Sequence, residues 1–215
     1  FSNPNISAFF SNKNFSNTKN NSRSEFANLT GFKGRLIIPK QIHSNKLFFA
    51  KTKGIINDCD GAFSDAENLI CSIQVADCMP IFFANKFNNV FGLIHAGWRG
   101  LVNNIILESK KLIINNNYCP NDFEIVIGPS IQKCCFEVQS DVVEKFGKKF
   151  VSKKNNGGFL VDLQSNAQSE LQNCGFKKNN IHIIPECTFC NPDKYLSYRK
   201  NKVYSGRMYG LIGVI

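Results

Sequence analysis

The segment from Val75 to Gly100 reads VADCMPIFFANKFNNVFGLIHAGWRG. Two apolar runs, Ile81 to Ala84 and Val90 to Ile94, enclose a polar turn from Asn85 to Asn89. Two short apolar runs joined by an Asn/Lys loop predict a β-hairpin. A hairpin brings its outer ends side by side, so Cys78 and His95, seventeen positions apart, can meet in space. A thiol beside an imidazole is either part of a soft metal site or a nucleophile with its base.

Around this hairpin the chain reads as short strands mixed with helices. Leu36-Ile37-Ile38 is a strand ended by Pro39, and Leu69 to Ala76 a longer one. Phe9, Phe10 and Phe15 can anchor a strand near the start. Asp58-Cys59-Asp60-Gly61 has turn composition. Gly97 and Gly100 bracket a bend after His95. Leu101 to Ile114 then carries apolar residues at helical spacing. Phe123 to Ile127, Ile181 to Ile184 and Tyr209 to Ile215 read as strands. Asp141 to Phe150 and Asp162 to Cys174 read as helices, the second closed by Gly175. The irregular alternation predicts a mixed-sheet α+β fold in a single domain over 1–215, with no repeat or linker to divide it.

Composition narrows the function. The 215 residues are 43% hydrophobic and carry a formal charge of +10. The lysines are scattered among Asn, Ile and Phe, without an arginine-rich run, so a specific nucleic-acid partner is not expected. No apolar run reaches the roughly 18 residues of a membrane span. The first residues lack the basic-then-apolar order of a signal peptide, and nine cysteines then read as reduced thiols in a cytoplasmic protein. Neither a Walker A loop nor a G-x-G-x-x-G motif is present.

Three histidines occur, His43, His95 and His182. With Cys78, two of them can complete a three-ligand site that leaves a position open for water or substrate. Cys187-Thr188-Phe189-Cys190 has C-x-x-C spacing but no second such pair. Cys134 and Cys135 are adjacent, and all four read better as buried free thiols. Arg99, Arg199 and Arg207 stand out against a lysine background, because guanidinium groups suit phosphate or carboxylate. Asp77 can orient a ligand or a water beside Cys78. Trp98 can wall a pocket.

The motifs Gln41-Ile42-His43-Ser44, Ala76-Asp77-Cys78-Met79-Pro80 and His95-Ala96-Gly97-Trp98-Arg99-Gly100 occur in order. So do Ile127-Gly128-Pro129-Ser130-Ile131, Cys135-Phe136-Glu137-Val138, Cys187-Thr188, Leu196-Ser197-Tyr198-Arg199 and Ser205-Gly206-Arg207. Over residues 33–215 this closely resembles the laccase-domain family, also called the multicopper polyphenol oxidoreductase family. The resemblance implies a mixed α/β sandwich with helices packed outside the sheets. It implies a zinc-dependent purine nucleoside phosphorylase with adenosine deaminase activity, taking adenosine, inosine or methylthioadenosine with phosphate. It places zinc on His43, Cys78 and His95, with Cys78, His95 and Asp77 as catalytic candidates. Arg99, Arg199 and Arg207 are the candidates for phosphate. Residues 1–32 match weakly: Phe9-Phe10-Ser11-Asn12 lacks the Arg and the paired Gly of the family pattern, and Arg23 is a poor counterpart of a later Arg.

Three other chemistries fit parts of the pattern. A metal-free cysteine hydrolase or amidase would use Cys78 and His95 and leave His43 idle. A copper-dependent polyphenol oxidase is the family's older label, with Met79 beside Cys78 as an axial candidate. Three histidines cannot build a laccase copper cluster, so copper is the lesser expectation. A basic nucleic-acid binder would reveal itself by salt-dependent binding.

Overall fold

The computed structural model describes residues 1–16, 22–155 and 157–215. The polar stretch 17–21, inside the weakly matching segment, lies outside them.

Two sheets face each other. The six-stranded sheet runs in the order Ile181–Ile183, Phe123–Ile127, Met79–Asn85, Phe91–Ala96, Gly61–Ser64, Phe48–Phe49. The five-stranded sheet runs Ile6–Phe10, Met208–Val214, Leu69–Val75, Arg35–Pro39, Gly54–Ile56. A small third sheet orders Glu137–Val138, Phe159–Val161 and Val151–Lys153. Parallel and antiparallel pairs mix in both large sheets.

Alternation along the hairpin shows how the layers stack. Ile81 and Phe83 enter one core with Ile105, Ile106, Ile113, Ala167 and Leu171, from the helices Ile105–Asn115 and Leu163–Asn173. Phe82, Ala84, Phe91 and Leu93 enter a second core with Ile37, Cys71, Ile73 and Ile212 of the five-stranded sheet. On the far side of that sheet, Ile70 and Leu211 meet Phe26 and Ala27 of the helix Arg23–Leu29. The order of layers is helix, sheet, sheet, helix. Central strands covered on both faces need apolar side chains at every position, which is why they read as unbroken apolar runs.

The predicted hairpin is present. Met79–Asn85 pairs antiparallel with Phe91–Ala96, and Pro80 lies opposite His95. Two helix readings need correction. The helix expected over Leu101–Ile114 is two helices, Trp98–Val102 and Ile105–Asn115. Asn104 separates them at φ +64°, a left-handed conformation that Asn tolerates better than most residues. Gly100 therefore lies within a helix rather than at a bend. Asp141 to Phe150 is helical only over Ser140–Val143, with a 3-10 turn at Lys148–Phe150, because Gly147 between them is extended. Among the described residues, no helix is long and apolar enough to cross a membrane.

Candidate metal centre

Three chain segments bring His43, Cys78 and His95 together. His95 lies in the Phe91–Ala96 strand and is buried. Cys78 immediately precedes the partner strand, and His43 follows the Arg35–Pro39 strand of the other sheet. One ligand atom from each lies within 4.8 Å of the other two. The two imidazole rings are 4.7 Å apart and nearly perpendicular. His43 is exposed and Cys78 partly buried, so the group opens to solvent on the His43 side.

The residue that organises this group is Asp60, which the sequence offers only as part of a turn. It directly precedes the Gly61–Ser64 strand, whose pairing places Gly61 opposite Ile94. That register sets Asp60 alongside His95. The His95 amide donates to the Asp60 carbonyl at 2.7 Å, and His95 Nδ1 meets Asp60 Oδ1 at 2.9 Å. The same carboxylate accepts the backbone N–H groups of Ile42, His43 and Ser44 and the Ser44 hydroxyl. Burial alone would raise the Asp60 carboxyl, but the bonds from His95 and Ser44 hold it below its ordinary value. An ionised carboxylate only accepts, so Nδ1 of His95 carries the proton and Nε2 is free to ligate. A signal for Asp60 did exist: a ligating histidine usually has a carboxylate behind it, and Asp60 is the acidic residue before an apolar strand.

Burial pushes the Cys78 thiol up, but the imidazoles of His95 and His43 outweigh it and bring it down to about 6. Burial also pushes His95 down, while Cys78 and Asp60 carry it up to about 9. The pocket therefore stabilises a thiolate.

Two backbone features keep the group tight. His43 and Asp77 adopt φ +61° and +83°, left-handed conformations that cost energy and turn the chain sharply at the site. Gly97 packs against the thiol: a Cβ there would lie 2.9 Å from Cys78 Sγ and 3.4 Å from His43 Cδ2. One soft thiolate, two imidazoles and a solvent-facing side fit a three-ligand zinc site. Met79 and Met208 are fully buried in the two cores, in apolar packing.

The other expected residues surround this group in different ways. Asp77 is buried, and both its carboxylate oxygens are engaged: Oδ1 by the Thr188 hydroxyl at 2.6 Å, Oδ2 by the Ser197 hydroxyl and the Arg199 amide. Arg99 is exposed and lies over the Trp98 ring. The Arg199 guanidinium donates to the Glu137 carbonyl and covers the Phe136 ring. Arg207 donates to the Ser205 hydroxyl and the Gly206 carbonyl. His182 stands apart on the Ile181–Ile183 strand, 3.2 Å from Glu124. Arg23 reaches Ser72 and Gln41, two residues from His43, so the N-terminal segment does contact the ligand loop.

The cysteine reading requires a correction. Cys134, Cys135, Cys187 and Cys190 are not independent buried thiols: their sulfur atoms all lie within 4.8 Å of one another, and Cys134 and Cys190 are exposed. The second pair of ligands missing from the local sequence is supplied by tertiary contact.

Residues 5–215 match the family described as multi-copper polyphenol oxidoreductase laccase. A purine nucleoside phosphorylase of Staphylococcus saprophyticus is 31% identical over 204 residues, 87% of this chain and 76% of that protein. A purine nucleoside phosphorylase of Rickettsia prowazekii is 33% identical over 178 residues, 77% of this chain and 71% of that protein. In structure, YlmD from Geobacillus stearothermophilus superposes with a TM-score of 0.90 at 22% identity, covering 99% of this chain and 93% of that one. The shared fold and the match across nearly all of its length place this chain in the multi-copper polyphenol oxidoreductase laccase family.

Proposed function

We propose that the protein is a zinc-dependent purine nucleoside phosphorylase that also deaminates adenosine. The observation that carries the reading is the convergence of His43, Cys78 and His95 with Asp60 behind His95. The names of the relatives support the phosphorylase class. Adenosine, inosine and methylthioadenosine, each with phosphate, are the proposed substrates. Bound on the three ligands, zinc would supply Lewis acidity at the open side of the site, toward the purine base or a water molecule.

The chain's own residues prepare that site. Asp60 holds the Nδ1 proton of His95, so that Nε2 is the nitrogen turned toward the metal and the one that gives up its proton on binding. The two imidazoles favour the thiolate of Cys78 over the thiol. Asp77, with every oxygen engaged, holds the turn before Cys78 rather than exchanging a proton with substrate. Arg99, exposed four residues after His95, is the guanidinium we propose for phosphate. Arg199 and Arg207 spend donors on backbone carbonyls and shape the surrounding loops. The buried packing of both methionines supports zinc over a blue-copper site with axial Met.

A metal-free cysteine hydrolase is the second reading, favoured by the thiolate-prone Cys78 beside His95. Cys78→Ser separates the two. Under the zinc reading it loses the zinc held with His43 and His95 together with turnover. Under the nucleophile reading turnover disappears and zinc content is unchanged. Phosphorolysis must require added phosphate and deamination must not, so a nucleoside panel with and without phosphate completes the test. Full zinc and normal adenosine turnover in Cys78→Ser would refute the proposal.

A further inference from the structure

We propose that Cys134, Cys135, Cys187 and Cys190 form a second metal site, which takes one zinc ion as a tetrathiolate and braces the loops behind Asp77. Cys134 Sγ is 3.6 Å and Cys135 Sγ 3.3 Å from Cys190 Sγ, and all four sulfur atoms fall within 4.8 Å of one another. A tetrahedral zinc with Zn–S bonds of about 2.3 Å needs sulfur–sulfur edges of about 3.8 Å. The cluster sits at the size of a single ion.

In the Cys187-Thr188-Phe189-Cys190 loop the Cys187 carbonyl accepts the Asn191 amide, and in the opposite loop the Gln132 carbonyl accepts the Cys135 and Phe136 amides, so both cysteine pairs sit on closed turns. The two loops are already docked. Ser130 and Cys187 form a parallel bridge, and the Thr188 amide donates to the Ser130 carbonyl. Cys134 and Cys135 come from one loop and Cys187 and Cys190 from the other, so one ion would tie segments more than fifty residues apart. Binding converts four thiols to thiolates and releases their protons, leaving a centre of net charge −2. Cations flank it: Lys133 adjoins Cys134, Lys200 lies over the Phe189 ring, and Arg199 lies over the Phe136 ring next to Cys135.

The consequence reaches the first centre. Both loops hold Asp77: the Ile131 amide donates to its carbonyl, and the Thr188 hydroxyl to its carboxylate. Asp77 leads directly into Cys78. Zinc on the four cysteines would therefore restrain the turn that presents Cys78, acting as a positioning element and not as a catalytic group.

The test is a count of zinc in the full chain, purified under reductant and equilibrated with zinc in slight excess. The unmodified protein should hold about two equivalents. Cys78→Ser should keep about one, and after cobalt(II) replacement show the intense thiolate-to-cobalt bands of a tetrathiolate. The double variant Cys134→Ser/Cys190→Ser should also keep about one equivalent, without those bands. If the double variant does not fold, the Cys78→Ser protein still decides. Absence of metal from Cys78→Ser, or a cobalt spectrum lacking tetrathiolate character, overturns the second site. So does a Cys135–Cys190 disulfide that persists in the protein purified under reductant, in place of the metal. A protein that holds one tetrathiolate equivalent with or without Cys78 would keep this site and refute the first one instead.

Discussion

Replacing Asp60 by Asn tests whether one buried carboxylate assembles the first centre. Five donors converge on it: His95 Nδ1 at 2.9 Å and the His43 amide at 2.9 Å on Oδ1, with the amides of Ile42 and Ser44 and the Ser44 hydroxyl on Oδ2. Asn offers one acceptor oxygen and one NH2 group. If the oxygen stays toward His95, the NH2 faces the amides of Ile42 and Ser44, and two partly buried donors lose their acceptor. Each such loss, at a partly solvated donor, costs on the order of 1 kcal/mol. If the amide turns over, the NH2 faces Nδ1, which must then accept, and the histidine proton moves to Nε2 where the metal belongs. Loss of an outer partner of this type costs roughly 10–100-fold in metal affinity, or about 1.4–2.7 kcal/mol. Asp60→Asn should therefore bind zinc at least tenfold more weakly, by competition against a chromophoric chelator. Its melting temperature should fall even without metal. Zinc affinity within about twofold of the parent protein would refute the tautomer argument. An unshifted melt would refute the anchoring of the 42–44 loop.

Three further outcomes follow from particular contacts. Gly97→Ala has ordinary backbone angles but sets a methyl 2.9 Å from Cys78 Sγ, so kcat/KM should fall on the order of 100-fold while the melt changes little; unchanged kinetics would show that the thiol tolerates displacement. Glu170→Gln tests a partly buried carboxyl on the Leu163–Asn173 helix, raised by burial to about 7 against a bond from Asn166. The folded state holds this proton more tightly than the unfolded chain, so stability falls as pH rises from about 4.5 to about 7, and the penalty is complete above that. Glu170→Gln should raise stability at pH 8 by on the order of 2 kcal/mol and leave it unchanged near pH 4, and equal melts at both pH values would refute the assignment. Removing zinc with a chelator should abolish nucleoside turnover and lower the melting temperature, both restored by readdition; activity that survives full removal would point to the cysteine hydrolase reading.

The sequence by itself determined the parts that local chemistry controls. Alternating apolar runs around Asn85–Asn89 specify a hairpin whatever surrounds it, and its ends necessarily adjoin, so Cys78 and His95 were legible as a pair. Gly175, at φ +91°, closes the Leu163–Asn173 helix for an equally local reason. Asn104 marks the failure of periodicity alone: the apolar spacing runs through residues 101–114, but one left-handed residue divides the helix. Only the tertiary structure decided the rest, because those contacts depend on strand register and loop docking. Asp60 reads as a turn residue until the pairing of Gly61 with Ile94 sets it beside His95. The four cysteines read as two unrelated pairs until the bridge between Ser130 and Cys187 brings their loops together. Sequence spacing carries no record of such a meeting, since the energy that enforces it comes from sheets and from a core that Ile131, Phe136 and Cys187 share with distant strands and helices.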